Sequence, residues 1–434
     1  MTASGRVLIV DRDPVARLRL DHLLTGRGFA SLQADSADHA LALAGADGAD
    51  IVIINGDSGA TGEAERLTRR LKSQTGTAPI PVIVIGGESQ GADSVLPQAF
   101  KDSELHARLD VFLRLNTMRE ELLRRASTAG RFGVETPPVA SPPSKLDGIR
   151  LLIVGKDDRD RGAIEAMLNG QGQLTSARSG GEALDLLRSD AEFDAVVLTA
   201  PGETPESQRF CSELRSDARL FHLPLLTFVD PRATLNGPAM TRGGTDVIDR
   251  PWTATEFRNR LLGAVRQQRY RVVLKDLFRA SRQPATTDAL TNVYSHGFLF
   301  EHLGLQLDHA KRYGRNLTVA VLGIVDMSGL NRLYGYLAGD RVLRQVGNMM
   351  TRMVRGEDLV ARYSGAKFCL ALPDTAPELG FCALHRVASV VEQTELALPD
   401  SPEPVRVRLA VGAAGASLVD SPESIVDRAI SAMA

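Results

Sequence analysis

Val7-Leu8-Ile9-Val10, a short aliphatic run ahead of Asp11, returns about 144 positions later as Leu151-Leu152-Ile153-Val154. Nearly the same offset relates Asp50-Ile51-Val52-Ile53-Ile54 to Asp194-Ala195-Val196-Val197-Leu198, and Pro81-Val82-Ile83-Val84-Ile85 to Pro224-Leu225-Leu226-Thr227-Phe228. Three strand-like runs repeated at one spacing mark an internal duplication. The stretches between them, such as Ala30 to Leu43 and Gly180 to Arg188, have helical spacing. Continuous apolar strands alternating with helices predict an α/β fold with a parallel sheet covered on both faces.

Each repeat closes on a long helical stripe: Leu105, Leu109, Phe112, Leu115, Met118 and Leu122 in the first, and Phe257, Leu261, Val265, Val273, Leu277 and Phe278 in the second. Such helices either cover the sheet or extend past it as stalks and dimer seams. Ser127 to Lys145, with Pro137-Pro138 and Pro142-Pro143, is a linker by composition, and Gln283-Pro284-Ala285 makes a second break. The resulting division is a first domain at 1–126, a linker at 127–146, a second domain at 147–283 and a third at 287–434. In the third, the apolar runs are Leu317 to Ile324, Phe368 to Leu372 and Val405 to Val411, the last two reading as strands. Helical patterns Phe298 to Arg312, Gly339 to Arg355 and Glu378 to Val391 make it an α/β domain of a different order.

The bulk numbers agree. A chain of 434 residues holds about three domains. A formal charge of -2 supplies no global basic field, which argues against DNA and anionic membrane as partners. Three scattered cysteines, Cys211, Cys369 and Cys382, build neither a disulfide framework nor a metal site. The start has no leader pattern, and no run reaches the roughly 18 apolar residues of a membrane span. A soluble cytoplasmic protein is expected.

Asp288-Ala289-Leu290-Thr291, Leu330-Asn331-Arg332-Leu333-Tyr334-Gly335-Tyr336-Leu337-Ala338-Gly339-Asp340 and Arg362-Tyr363-Ser364-Gly365-Ala366-Lys367-Phe368 follow one another in order. They resemble the D-x-L-T-G, I-N-D-x-x-G-H-x-x-G-D and R-x-G-G-D-E-F motifs of the GGDEF domain of diguanylate cyclases. The two repeats resemble receiver domains of response regulators, and the whole order resembles the PleD-type cyclases. The resemblance implies two tandem receiver-like, flavodoxin-like domains followed by a GGDEF, nucleotidyl-cyclase-like domain.

It also implies which chemistry is missing. The cyclase reaction needs carboxylates to hold divalent metal. At the family's two metal-ligand positions this chain has Gly323 and Ala366, and Lys367 stands where the signature has Glu. Asp326 is three residues past the ligand position. The chain stops at Ala434, within the segment aligned to R-A-D-x-x, so the family's later triphosphate-holding basic residues are expected to be missing. No catalytic residue, metal site or cofactor is therefore expected, and the domain reads as a degenerate cyclase. Asn331 and Asp340 match the family's guanine contacts and form a vestigial guanine site, or else hold a turn and cap a helix.

What remains is a ligand site. Arg355-Gly356-Glu357-Asp358 is an R-x-x-D where the family carries its product-inhibition site. A guanidinium fork suits phosphate or the guanine O6 and N7, and a carboxylate accepts from guanine N1 and N2 hydrogens. The resemblance adds Arg386 as a further contact to cyclic di-GMP, and Arg150 and Arg178 as additional contacts from the second receiver.

The receivers themselves have lost the phosphorylation set. The family's acidic pair, acceptor Asp, hydroxyl residue and Lys read Asp11-Arg12, Asn55, Gly86 and Gln98 in the first, with Asp57 two residues off. In the second they read Gly155-Lys156, Thr199, Val229 and Arg250. No phosphorylation site is expected. The span Gly87 to Gly91 is short where a receiver has its fourth helix, leaving an exposed face for a partner.

Together these features point to a cyclic di-GMP-binding effector or adaptor in bacterial signalling, inactive as a cyclase. Resemblance to the inactive branch of the family implies cell-cycle control, placement at a cell pole, a homodimer, and protein partners in protease delivery. Two rivals stand beside it. One is an active or GTP-sensing response-regulator cyclase, the other a receiver scaffold that binds no nucleotide.

Overall fold

In the computed structural model, the described residues are 5–46, 48–56, 62–87, 91–143, 145–156, 158–168, 170–189, 192–199, 205–217, 219–229, 245–398 and 403–433. Asp57 lies outside them. The chain forms two compact units: Arg6–Leu115 with Ser141–Val273, and Asn116–Ala140 with Leu274–Ala434.

The first unit holds both repeats except the ends of their closing helices, beyond Leu115 and Val273. The first repeat comprises β1 (Arg6–Val10), α1 (Pro14–Thr25), β2 (Ala30–Ala34), α2 (Ala37–Ala46), β3 (Ile51–Asn55), α3 (Glu63–Ser73), β4 (Val82–Ile85), β5 (Ser94–Leu96) and α4 (Asp102–Arg131). The second comprises β6 (Ile149–Val154), α5 (Asp158–Leu168), β7 (Gly172–Ala177), α6 (Gly180–Arg188), β8 (Ala195–Leu198), α7 (Pro205–Ser216), β9 (Leu225–Val229), β10 (Asp246–Asp249) and α8 (Ala254–Ala280). The sheets run β2-β1-β3-β4-β5 and β7-β6-β8-β9-β10, parallel throughout, so the duplication extends to topology. Residues alternate between the faces: Val7, Ile9, Ile51 and Ile53 pack on one side with Leu105, Leu109 and Phe112, while Leu8, Val52 and Ile54 pack on the other. In the first repeat β4 is followed by β5, with no helix among the described residues between them.

The closing helices differ from expectation in detail. α4 continues through Ser127, Thr128 and Ala129 to Arg131, past the start of the expected linker, because Thr128 and Ala129 are buried. Linker composition begins to act only beyond Gly133. In α8 the buried stripe is Phe257, Leu261, Val265, Leu274 and Phe278, whereas Val273 is 40% exposed.

The second unit contains α9 (His296–Tyr313), β11 (Leu317–Ile324), α10 (Met327–Tyr334), α11 (Tyr336–Met353), β12 (Leu359–Ser364), β13 (Lys367–Pro373), α12 (Pro377–Gln393), β14 (Leu409–Gly415) and α13 (Pro422–Ser431). Its sheet is antiparallel, in the order β12-β13-β11-β14. The expected strand at Val405 to Val411 begins at Leu409, with Val405 instead bridging Leu396. One core lies under α11 and α12, and a second under α9 and α13. The second also takes Ala129, Phe132 and Val134, so the end of α4 is part of this unit.

Candidate functional site

The R-x-x-D segment is not the end of a helix. α11 stops at Met353, and Arg355 to Asp358 form the turn that leads into β12. Oδ2 of Asp358 accepts from the Arg355 N–H at 2.8 Å, and the Asp358 N–H donates to the Arg355 carbonyl at 3.2 Å. Asp358 is only 8% exposed, and its other oxygen, Oδ1, is buried with no hydrogen-bond partner among the described residues. Burial, with the neighbouring Glu357 carboxylate, pushes Asp358 up to about 7, against the Arg355 N–H and the charges of Arg355 and Arg125. The guanidinium of Arg355 is exposed and makes no described hydrogen bond or ion pair. Arg386 is likewise exposed, on α12.

Behind the turn stands an arginine that sequence reasoning did not find. Arg125 of α4, 2% exposed, donates through Nη2 to the Glu357 carbonyl at 2.8 Å and through Nη1 to the Gly356 carbonyl at 3.4 Å. Its Nε donates to Glu121 at 2.9 Å, and its guanidinium lies 4.6 Å from the Phe278 ring centroid and 5.5 Å from that of Tyr294. Glu121, fully buried, also accepts from Arg124 at 3.2 Å and Gln306 at 3.1 Å, and meets His302 Nε2 at 2.7 Å. Burial alone would raise Glu121, but His302 and Arg125 hold it well below the usual carboxylate range. Helical spacing had marked α4 only by its apolar residues; the i,i+4 pair Glu121–Arg125 was the available signal.

At the signature, β11 and β13 pair Gly323 with Lys367. A Cβ on Gly323 would meet Met433 Cε at 3.1 Å and Lys367 Cγ at 3.4 Å. Ala366 packs against the core. Arg362 donates to the Gly365 carbonyl at 2.9 Å and to Asp288 at 3.1 Å, tying the signature turn to Asp288-Ala289-Leu290-Thr291. Asp326 caps α10, accepting from the Gly329 N–H at 3.0 Å. No group of three or more metal-ligating side chains occurs among the described residues.

Asn331 and Asp340, expected from the motif to be a vestigial guanine site or else to hold a turn and cap a helix, do not take those structural roles. Asp340 lies inside α11, whose N-cap is Gly335, so it caps nothing. Asn331 Oδ1 is buried without a hydrogen-bond partner among the described residues and points at Gly339, where an added Cβ would come within 1.9 Å. The glycine is thus needed for the close approach of the amide, and the Asn331 side chain holds no turn.

These features can be set beside known proteins. Residues 285–434 match the family model described as diguanylate cyclase, GGDEF domain. Over 455 aligned residues, 98% of this chain and 95% of the relative, the sequence is 29% identical to the response regulator PleD of Caulobacter vibrioides. The chain is PleD-like and carries a GGDEF domain. The diguanylate cyclase DgcP of Pseudomonas aeruginosa is 30% identical over 152 residues, covering 35% of this chain and 22% of that protein. The solved GGDEF domain of DgcB from Caulobacter crescentus, in complex with c-di-GMP, is 27% identical with a TM-score of 0.33, covering 35% of this chain and 86% of that one.

In the PleD-like frame the N-terminal repeats are receiver-like α/β domains. At the acceptor position of the first, Asn55 Nδ2 donates to Asp11 Oδ2 at 2.6 Å. In the second, Thr199 Oγ1 donates to the Val154 carbonyl at 3.3 Å, and Arg250 pairs with Asp160. Arg150, on β6, pairs with Glu192 at 2.7 Å; Arg178, after β7, is exposed. Both belong to the other compact unit from Arg355. Among the described residues no helix is long and apolar enough to cross a membrane.

Proposed function

We propose that the protein is an effector that binds cyclic di-GMP at Arg355, Asp358 and Arg386 and does not synthesise it. The observation that carries this reading is Asp358 Oδ1, a buried acceptor left without a donor beside an unengaged guanidinium. A buried polar atom without a partner is costly, and a guanine edge would satisfy it with N1 and N2 hydrogens. Arg355 would supply the complementary fork to phosphate or to O6 and N7. Inactivity is supported by Gly323, Ala366 and Lys367, which bring no carboxylate where the cyclase chemistry needs metal.

In joining receiver-receiver-GGDEF order, a decayed signature and an intact R-x-x-D, the chain resembles PopA, an inactive relative of PleD. That likeness supports an adaptor role in cell-cycle control, at a pole, as a homodimer that helps deliver substrates to a protease. A second reading, GTP sensing without turnover, is favoured by Asn331 Oδ1, another buried acceptor without a donor.

Calorimetric titration with cyclic di-GMP, and in parallel with GTP and Mg, tests these readings. Micromolar or tighter binding of cyclic di-GMP, abolished by Arg355→Ala, is expected. Formation of cyclic di-GMP from GTP, or binding indifferent to Arg355→Ala, would refute the proposal.

A further inference from the structure

The R-x-x-D turn is gripped from behind by helical segments that precede the GGDEF domain in sequence. The carbonyls of Gly356 and Glu357, the two residues between Arg355 and Asp358, both accept from Arg125 of α4. The Gly356 position is closed by Phe278 of α8, whose Cδ2 would lie 3.3 Å from an added Cβ, and by Met118 of α4, whose Cε would lie 3.9 Å away. Phe278 in turn sits under the Arg125 guanidinium, at 4.6 Å. One planar cation therefore joins two helices to the backbone of the turn, and the buried Glu121 fixes its orientation at 2.9 Å.

We infer that Arg125 is a positioning residue for the cyclic di-GMP turn, and that through it ligand occupancy and the packing of α4 residues 116–131 are linked. This rests on the ligand-binding reading of Arg355 and Asp358. Arg125 does not reach the ligand through this geometry; it fixes the carbonyl orientations that set where the Arg355 and Asp358 side chains start. Lysine keeps the charge beside Glu121 but lacks the fork that spans two carbonyls. By reciprocity, whatever the helix contributes to the turn, ligand at the turn returns to the helix.

The test uses the full chain, cyclic di-GMP as the probe, and four proteins: wild type, Arg355→Ala, Arg125→Lys and Phe278→Leu. Hydrogen exchange is read without ligand at the amides of 356–358, and at residues 116–131 with and without saturating ligand. Arg125→Lys is expected to speed exchange of the turn in the unliganded protein, to weaken binding about tenfold, and to lose the ligand-induced protection of 116–131 seen in the wild type. Phe278→Leu, which keeps every hydrogen bond of Arg125, should shift these readouts in the same direction by a smaller factor. Wild-type exchange rates in the turn of Arg125→Lys, or wild-type affinity with helix protection retained, would overturn the inference while leaving the ligand site standing. No binding by the wild type, or binding that survives Arg355→Ala, would remove the reading of the site and the linkage with it.

Discussion

One oxygen of Asp358 is held by the N–H of Arg355 at 2.8 Å, and the other meets no donor among the described residues. The turn thus uses half of the carboxylate and leaves half for something else. A carboxylate buried in this way resists ionisation, and here it is pushed up to about 7.

That value makes binding depend on pH. To accept from guanine N1 and N2 hydrogens, Asp358 must be ionised, so below about pH 7 ligand binding is coupled to loss of a proton. The apparent affinity for cyclic di-GMP is expected to fall about tenfold per unit as pH drops below that point, and to level off about one unit above it. Titrations in buffers of different ionisation enthalpy should show proton release at about pH 6 and little at about pH 8. A dissociation constant flat across this range would remove Asp358 as the acceptor.

The same group predicts a stability trend with a definite sign. Its pKa is higher folded than unfolded, so its contribution to stability is fully present below about pH 4 and is lost as pH rises through about 7. Asp358→Asn cannot ionise. Its melting temperature should therefore gain on the wild type as pH rises through this window and run parallel above it; a constant difference at all pH values would contradict the shift.

Receiver topology was readable because a parallel strand buried on both faces is a continuous apolar run, and each run appears twice. The GGDEF domain was readable from three spaced motifs. Other elements were missed: Ala30 to Ala34, read within a helical stretch, is strand β2, and in the third domain β12, α10 and α13 were not named; Leu359 to Ser364 is half polar, and Met327 to Tyr334 carries apolar residues that end up exposed, including Leu333 at 78%. The placement of β12 and α10 depends on tertiary pairing and capping by Asp326, which no local period records. Arg355, Asp358 and Arg386 were named from motif position. For Arg125 the sequence carried only the i,i+4 pairing with Glu121; its link to the turn was invisible because those partners are backbone carbonyls more than two hundred residues away, and a carbonyl leaves no mark in sequence.

Restoring a single metal ligand should not restore turnover. Aspartate at position 323 would extend toward Lys367 Cγ and Met433 Cε, 3.4 and 3.1 Å from its Cβ. An Asp beside that lysine forms an ion pair before it binds Mg. Gly323→Asp alone is expected to produce no cyclic di-GMP from GTP and Mg by chromatography; turnover from it would show that Lys367 is no obstacle.

In the first receiver-like domain, Asn55 donates to Asp11 at 2.6 Å where the family places two carboxylates. Asn55→Asp replaces that hydrogen bond with like-charge repulsion. It should destabilise the domain by about 1–3 kcal/mol without divalent cation, with Mg restoring part of the loss and leaving the wild-type melting temperature unmoved. Equal Mg responses in both proteins would show that the old acidic pocket no longer admits a metal.

Between the two receiver-like domains, Asp246 on β10 accepts from Arg108 of α4 at 2.8 Å and from Arg260 of α8 at 2.8 Å. Both guanidiniums are nearly buried, and Arg108 also donates to Ser94 Oγ at 3.0 Å. Removing the acid strands the buried Arg108, whereas Arg260 keeps Glu256 at 3.0 Å and Glu104 at 3.7 Å. Breaking a buried pair in this way typically costs about 3–5 kcal/mol, more than replacing it with apolar groups. Asp246→Ala should therefore be strongly destabilising in urea, and much of the loss should be recovered when Arg108→Met is added, since that takes away a stranded charge. If the two substitutions simply add, to within about 0.5 kcal/mol, Asp246 and Arg108 are not energetically coupled and the receiver pair is held by its apolar contacts alone.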